Sequence, residues 1–371
     1  MAILDQVAEL RAAGRDVISL CAGEPQGGAP ADVRTLAADL YAGTDPLGYT
    51  GALGLPELRR AIADHYGRWY DLPVDAREVA VTTGASGAFV LVFLAAFDVG
   101  DRVAVVRPGY PAYRNVLRAL AIDVVDVPAG ADTGFEPTPA LLDAVVAEHG
   151  PLHGLVLASP ANPTGSMVDR TRLAALVDWC REHDVRLISD EIYHGITYPA
   201  DPSALGARGT SAWELDRTTV VVSSFSKYWG MTGWRLGWAL VPDDLRPAVD
   251  ALAGNVALCP PTPGQLSAIG AFTDASYAEA DARVAALAGT RAGLLAELPR
   301  LGWGPVAPAD GAFYLWAGIE DRLGPHAGSP DWCRALLEEA GVALVPGTDM
   351  DPVDGRGVGR HGDAQRHGRA V

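Results

Sequence analysis

The chain has 371 residues, a formal net charge of −17 at pH 7, 49% hydrophobic residues and 20% charged residues. Its length exceeds what a single hydrophobic core normally supports, so two domains of a globular protein are expected. The excess of acidic residues and the absence of a basic stripe in the sequence argue against nucleic acid as a partner. No apolar run approaches the roughly 20 residues that cross a bilayer, which argues against a membrane protein.

The four cysteines predict neither a disulfide framework nor a metal site. Cys21, Cys180, Cys259 and Cys333 lie far apart and show no CxxC or other metal-ligand spacing. The N-terminal segment has the period of an amphipathic helix and lacks the continuous apolar core of a signal peptide. A cytoplasmic protein with reduced thiols and no bound metal is therefore expected.

The first elements after this helix bring two candidate residues. A short strand, Val17–Leu20, leads to a turn in which Gly23 permits close backbone approach. A glycine-rich loop, residues 47–54, then carries Tyr49 and precedes the helix Pro56–Tyr70. The loop is either a plain connection or a support that presents the tyrosine hydroxyl.

A strand over Glu78–Thr83 ends in the sequence TGASG, and an apolar helix is expected over Ala88–Phe97. This order places free backbone N–H groups and the positive end of a helix dipole near Ala85 and Ser86, an arrangement that binds phosphate. A simple serine N-cap would give a similar pattern.

The alternation of strands and helices then continues with four buried strand candidates. They are Asp101–Val106, Gly154–Ala158, Arg186–Ser189 and Thr219–Val222. Repeated strand, loop and helix units predict a parallel α/β sheet with its site at the carboxyl edge.

Polar and aromatic residues follow several of these strands. Tyr110 lies between two prolines and suits stacking on a flat ring, Asn162 follows another strand, and Asp190 and Tyr193 follow a third. We expect these side chains to meet at one edge of the sheet.

The last of these strands runs into Lys227, which lies among aromatic residues. Loss of hydration in such surroundings lowers an amine pKa and makes the neutral amine available as a nucleophile toward carbonyls. Arg235 and Ser224 suit a phosphate dianion. A nucleophilic lysine beside a phosphate cradle suggests pyridoxal 5′-phosphate held as a Schiff base. Taken alone, the short pattern SxxK favours a strand followed by a polar turn over a functional motif, so other parts of the chain must decide.

The pattern changes beyond residue 251. A long helical segment is expected from Pro263 to about Leu298, followed by a strand over Gly311–Trp316 and a helix over Trp332–Ala340. We therefore predict an N-terminal segment, 1–40, that packs with a small domain, a large cofactor-binding domain, 41–254, and a small C-terminal domain, 255–371.

Four motifs occur together: NPTG at 162–165, DEIY at 190–193, SSFSK at 223–227 and GWRLGW at 233–238. In this order and spacing the chain resembles the fold type I pyridoxal-phosphate enzymes, in particular the class I/II aminotransferases of the aspartate aminotransferase type. The resemblance implies an α/β fold, with a large domain built on a mainly parallel seven-stranded sheet flanked by helices and a smaller α/β domain.

The resemblance also implies a role for each candidate residue. Lys227 forms the Schiff base and moves the substrate proton, Asp190 pairs with the pyridinium nitrogen, and Tyr193 with Asn162 bonds the cofactor's phenolic oxygen. Tyr110 would stack on the cofactor ring, and Gly23 and Asn162 would contact the substrate. The cofactor phosphate would be bound by four residues: Ala85, Ser86, Ser224 and Arg235. Tyr49 would reach the phosphate of a second subunit, which implies a homodimer with shared active sites.

Two departures from the family pattern bear on substrate binding. Gln26-Gly27 stand where similar enzymes usually carry an acidic residue and an aromatic one. The tail, 354–371, is atypical and too poor in apolar residues to build the usual closing strand and helix. Arg360 either supplies the guanidinium that binds the substrate carboxylate or belongs to a disordered basic tail.

The resemblance therefore predicts a ping-pong transaminase acting on an amino acid and a 2-oxo acid. One alternative on the same scaffold is β- or γ-elimination (a C–S lyase) or cyclisation. Another is a non-catalytic paralogue that binds pyridoxal phosphate. The sequence does not distinguish the amino donor.

Overall fold

The computed structural model describes residues 2–21, 23–352 and 367–370, with the backbone alone for residues 2 and 367–370. Arg360 lies outside the described residues. Within them, helices α1 to α12 occupy Ala2–Ala12, Ala31–Ala42, Pro56–Tyr70, Gly84–Ala96, Pro111–Ala119, Pro139–His149, Arg170–Glu182, Ala212–Leu215, Arg246–Val256, Thr262–Ala268, Asp274–Leu301 and Ser329–Ala340. Strands β1 to β12 occupy Ile18–Ser19, Val79–Thr82, Arg102–Arg107, Asp123–Pro128, Gly154–Ala158, Arg186–Asp190, Val220–Ser224, Gly237–Leu240, Leu315–Gly318, Val342–Ala343, Val345–Pro346 and His367–Ala370.

The largest sheet has seven strands in the order β2-β8-β7-β6-β5-β3-β4. All neighbouring pairs are parallel except the two that involve β8, which runs antiparallel to β2 and β7. Every residue of β2, β7 and β8 is buried, as expected for strands covered on both faces. The predicted mainly parallel seven-stranded sheet is confirmed.

Side chains from alternate positions of this sheet enter two separate hydrophobic clusters. Val221 belongs to the cluster that also contains Leu58, whereas its neighbours Val220 and Val222 belong to the cluster that contains Phe89. Alternate side chains of a strand point to opposite faces, so the two clusters are the cores on the two sides of the sheet. The sheet is therefore rigidly held where its carboxyl edge carries the site.

Several predicted elements agree with the structure and several do not. Helix Pro56–Tyr70 has the predicted bounds, but α4 begins at Gly84 rather than Ala88, because the small residues of GASG form its first turn. The predicted continuous helix from Pro263 to Leu298 is wrong: a 3₁₀ segment separates α10 from α11, and Thr273 caps α11 by accepting a hydrogen bond from Ser276 N. The pattern did not indicate α2, β4, α6 or α9.

Two small sheets lie outside the large one. β1 pairs in parallel with β10, which joins the N-terminal segment to the C-terminal part of the chain. β12 lies between β9 and β11 and is antiparallel to both. The expectation that the tail forms no strand is therefore wrong, because strand pairing needs only backbone donors and acceptors. The domain boundaries at residues 41 and 255 stay a prediction.

Candidate active site

A cavity of about 380 Å³ opens at the carboxyl edge of the large sheet. Nine predicted site residues line it: Gly23, Ala85, Ser86, Tyr110, Asn162, Asp190, Tyr193, Lys227 and Arg235. They come from separate segments that meet because parallel strands end at the same edge. Tyr49 and Ser224 do not belong to this lining.

Lys227 is held by the aromatic residues on either side of it. Phe225 and Trp229 are fully buried and pack against each other with a centroid separation of 5.3 Å, which fixes the turn after β7. The Lys227 amine donates a hydrogen bond to the Gly23 carbonyl at 2.5 Å and lies 5.9 Å from the ring centroid of Tyr193. Lys227 is also the only lysine in the sequence. The cavity therefore contains the chain's one side-chain amine.

Asp190 ends β6 and is almost completely buried. Ile192 N donates to its Oδ1 at 3.1 Å, and the Tyr113 hydroxyl donates to its Oδ2. Burial raises the pKa of Asp190 to about 6, while the hydrogen bonds from Tyr113 and Ile192 and the charge of Lys227 act in the opposite direction. A cation placed against this carboxylate would therefore be held strongly.

Tyr113 was not among the predicted site residues, although it lines the same cavity. It lies three residues after Tyr110 on the first turn of α5, so both rings face the same side of the helix. The spacing in the sequence YPAY is the signal from which it could have been found.

The start of α4 and Arg235 form a cradle at another wall of the cavity. Arg235 has a left-handed backbone, with φ of 50°, and a Cβ added at Gly84 would lie 2.5 Å from its Nη2. A Cβ at Gly237 would lie 2.8 Å from Ala85 N. Among the described residues, the Thr83 side chain makes no capping hydrogen bond to this helix. The helix N-terminus and the guanidinium thus form a site that suits a phosphate dianion.

Ser224 lies behind this wall rather than on it. It is 2% exposed, its hydroxyl oxygen accepts from Ser226 N at 3.0 Å, and it lies 3.0 Å from Leu236 O. Ser226, which was not predicted, lines the cavity instead. The role of Ser224 in phosphate binding stays a prediction.

A buried cluster of polar side chains lies directly behind Asp190. Glu191 accepts hydrogen bonds from Ala212 N at 2.7 Å and Ser189 Oγ at 3.1 Å, while its other oxygen lies 3.5 Å from His194 Nδ1. The Tyr70 hydroxyl lies 2.8 Å from the same nitrogen. Burial raises the pKa of Glu191 to about 8 and lowers the pKa of His194 to about 3. Both side chains are therefore neutral at pH 7.

The raised pKa of Glu191 predicts how stability changes with pH. Since the folded-state pKa, about 8, exceeds the ordinary glutamate value of 4.5, Glu191 contributes stability at low pH that is lost as pH rises from 4.5 through 8. Glu191→Gln has nearly the same shape and cannot ionise. We expect its Tm relative to wild type to rise by about 2 °C or more between pH 5 and pH 9, measured by calorimetry. Glu57→Gln, at an exposed position of α3, is the control, and an equal rise there would contradict this explanation.

Along the parts of the chain that the structure describes, we find no helix with the length and apolar character needed to span a membrane.

Known proteins are similar to this chain along nearly its whole length. The sequence model for aminotransferase class I and II matches residues 15–357. The chain is 49% identical to a valine–pyruvate aminotransferase of Mycobacterium tuberculosis over 340 residues, 92% of this chain and 84% of the relative. It is 33% identical to an aspartate/prephenate aminotransferase of Thermus thermophilus over 354 residues, 94% of this chain and 88% of the relative.

Solved structures of aminotransferases are also similar to the fold of this chain. A crystal structure of an aminotransferase from Mycobacterium tuberculosis superposes with a TM-score of 0.91 at 46% identity, covering 100% of this chain and 90% of that one. The aspartate aminotransferase of Thermus thermophilus with maleate gives a TM-score of 0.87 at 31% identity, covering 100% of this chain and 91% of that one.

Proposed function

Because the chain belongs to the class I and II aminotransferase family, we propose that it exchanges an amino group between an amino acid and a 2-oxo acid by a ping-pong mechanism, with Lys227 holding the cofactor as a Schiff base. Enzymes of this family depend on pyridoxal 5′-phosphate, and the chain is a transaminase. One observation carries the proposal: the amine of Lys227, the buried carboxylate of Asp190 and the guanidinium of Arg235 line the same cavity.

The residues of the cavity fit this cofactor. The N-terminus of α4 and Arg235 would hold the phosphate, Asp190 would hold a proton on the pyridine nitrogen, and Tyr110 would cover one ring face. Tyr193 and Asn162 would donate to the phenolic oxygen. When bound, the cofactor supplies an electron-withdrawing ring that takes up the electron pair of the bond broken at the substrate α-carbon.

Lys227 would then move the proton of the reaction. Its amine would accept the proton released at the substrate α-carbon and deliver it, on the same face, to the cofactor's C4′ carbon at the other end of the conjugated system. The contact between Lys227 Nζ and the Gly23 carbonyl, 2.5 Å long, directs the amine toward the segment where the substrate carboxylate is expected. One side chain therefore suffices as base and acid.

The amino donor that we propose has a small uncharged side chain. The charged residues among the described lining of the cavity are Asp190, Lys227 and Arg235, all assigned above to the cofactor or the proton transfer. Cys21 and Met350, which line the remaining space, offer no charge to a second substrate carboxylate. The similar protein that is named a valine–pyruvate aminotransferase supports valine as the donor and pyruvate as the acceptor.

The experiment follows the absorbance of the purified protein with pyridoxal phosphate while single amino acids are added without any 2-oxo acid. We expect valine and alanine to convert the cofactor to its pyridoxamine form at least about tenfold faster than aspartate or glutamate, since one buried unpaired carboxylate costs well over 1.4 kcal/mol. Preference for aspartate would contradict the proposed donor. Release of ammonia or a thiol without pyridoxamine formation would instead indicate elimination.

We propose in addition that two copies of the chain form the active unit, with Tyr49 reaching the phosphate bound in the other copy. Tyr49 is 84% exposed, although its loop is fixed by hydrogen bonds from Thr262 Oγ1 to Gly48 O at 2.7 Å and from Gln265 Nε2 to Thr50 Oγ1 at 3.0 Å. The loop thus presents Tyr49 to its surroundings, and tyrosine is enriched at interfaces because its side chain has an apolar body and a polar end. Light scattering should give about twice the chain mass of 38.8 kDa, and a fully active monomer would contradict the proposal.

A cytoplasmic location is the last part of this proposal. No disulfide joins the four cysteines, all of which lie in the described part of the chain, and three of them are buried. This state is typical of a reducing compartment. Fractionation of the producing cells tests it, and recovery outside the cytoplasm would contradict it.

A further inference from the structure

Tyr314 is a cavity residue that the sequence motifs did not indicate. It directly precedes β9, is 4% exposed and lines the same cavity as Lys227. Its hydroxyl forms a short hydrogen bond with the hydroxyl of Tyr193, and the two rings meet edge to face at a centroid distance of 5.4 Å. The cavity therefore contains a pair of tyrosine hydroxyls rather than a single one.

The backbone around Tyr314 is held against the turn that carries Asn162. Gly311 N donates to Gly165 O at 2.9 Å, and a Cβ added at Gly165 would lie 3.2 Å from the Tyr314 carbonyl oxygen. These contacts hold the backbone of Tyr314 against the turn at the edge of the sheet. The side chain of Tyr314 then extends from a fixed backbone toward Tyr193.

The same hydroxyl also contacts the segment that carries Gly23. A Cβ added at Gly23 would lie 2.7 Å from the Tyr314 hydroxyl oxygen, whereas the next ring atoms of Tyr314 would be 3.6 Å away. The Gly23 carbonyl accepts the hydrogen bond from Lys227. Tyr314 therefore touches both the residue proposed to bind the cofactor's phenolic oxygen and the segment proposed to meet the substrate.

A tyrosine hydroxyl carries one proton, so the direction of the hydrogen bond between the two tyrosines matters. If Tyr193 donates its proton to the phenolic oxygen, its own oxygen must accept the proton of Tyr314. We propose that Tyr314 is a positioning residue, whose hydroxyl donates to Tyr193 and so directs the Tyr193 proton toward the cofactor. This inference rests on the proposed function, because it needs the phenolic oxygen next to Tyr193.

Tyr314→Phe removes the hydroxyl and keeps the ring. Tyr193 would then donate less effectively to the phenolic oxygen, which would disfavour the deprotonated Schiff base. We expect the midpoint of the pH titration of the bound cofactor's absorbance to rise by about 0.5 to 1 pH unit, the effect of one weakened hydrogen bond. Tyr193→Phe should move it in the same direction and further. The other ionisable groups lining this cavity are unchanged in both variants: Cys21, Asp190, Lys227, Arg235, Tyr110 and Tyr113.

Tyr198→Phe is a matched control. Its hydroxyl donates to Ala312 O at 2.6 Å, two residues before Tyr314, but it does not belong to the described lining of the cavity. The control should leave the titration midpoint unchanged. An equal shift in Tyr198→Phe would mean that the loss of any buried hydroxyl in this region disturbs the site, and would overturn the proposal.

A second pair of variants tests the close approach of Gly23 and the Tyr314 hydroxyl by adding and then relieving a steric clash. Gly23→Ala brings a methyl group against the Tyr314 hydroxyl, so we expect it to weaken cofactor binding by about tenfold or more. Adding Tyr314→Phe to the same chain removes the clash and should restore most of the binding. Failure of this rescue would overturn the close approach of Gly23 and Tyr314.

The outcomes separate this inference from the function on which it rests. If the wild-type protein shows no pH-dependent cofactor band and no reaction with amino acids, the proposed function fails and the inference fails with it. If the wild type titrates and reacts but Tyr314→Phe has the wild-type midpoint, the inference alone is overturned.

Discussion

Lys227→Ala is expected to lower kcat by roughly 10⁴-fold or more, because one substitution removes both the covalent attachment of the cofactor and the acid–base group. No other lysine exists in the chain to replace it. The neighbouring aromatic residues hold the turn independently of the amine, so the fold should survive: Phe225 and Trp229 are 0% and 2% exposed.

The single lysine makes this prediction unusually easy to measure. Borohydride reduction of the wild-type protein with pyridoxal phosphate should attach the cofactor to one peptide, the one that contains Lys227, and mass spectrometry locates it. No other peptide of the printed sequence contains a lysine, so the remaining peptides are internal controls. Lys227→Arg keeps the positive charge but cannot form the bond, and should be as inactive as Lys227→Ala. Turnover within tenfold of wild type in either variant would contradict the assigned role.

Five of the seven strands of the large sheet, β2, β3, β5, β6 and β7, could be predicted from the sequence because their signals are local. Runs such as residues 219–222 and 154–158 are β-branched or apolar and are bounded by turn residues. The carboxyl-edge rule then placed Asp190, Asn162 and Lys227 near one another without any knowledge of their contacts. The structure brings these three residues together in one cavity.

The remaining parts depend on contacts between distant segments. Tyr113 and Tyr314 become site residues only because their hydroxyls meet Asp190 and Tyr193, 77 and 121 residues away in the chain. Similarly, β12 is defined by its partners β9 and β11 and not by an apolar pattern. Apart from the YPAY spacing that could have indicated Tyr113, these features have no local signature, since hydrogen bonding and strand pairing are decided by the tertiary fold.

The break between α10 and α11 has a different cause. The composition from Pro263 onward favours a helix throughout, but Thr273 and Ser276 compete for backbone hydrogen bonds. The Thr273 side chain caps α11 and the Ser276 hydroxyl bonds Gly270 O at 2.7 Å, which ends one helix and starts the next. Threonine at such a position is a recognisable N-cap signal that the helical pattern around it concealed.

Asp190→Asn is expected to lower the rate of the half-reaction with amino acids by about 10²- to 10³-fold, the usual cost of losing a buried, correctly placed electrostatic partner. A neutral amide cannot hold a proton on the pyridine nitrogen, so the ring would withdraw electrons less strongly from the substrate. Stopped-flow absorbance measures this rate directly. Asp190→Glu keeps the charge but not the hydrogen bonds from Tyr113 and Ile192, and separates the two contributions.

The thermal stability of Asp190→Asn without cofactor shows whether its loss of reaction rate has an electrostatic cause. Burial raises the pKa of Asp190 to about 6, so its ionisation lowers the stability of the folded state as pH rises from the ordinary value of 3.8 through 6, and the full cost is present at pH 7.5. Asn at this position carries no charge, so we expect the cofactor-free variant to be at least as stable as wild type at pH 7.5 while it reacts far more slowly. A variant that is both slow and unstable would point to a distorted site. One that reacts within threefold of wild type would show that the proton on the ring does not depend on Asp190.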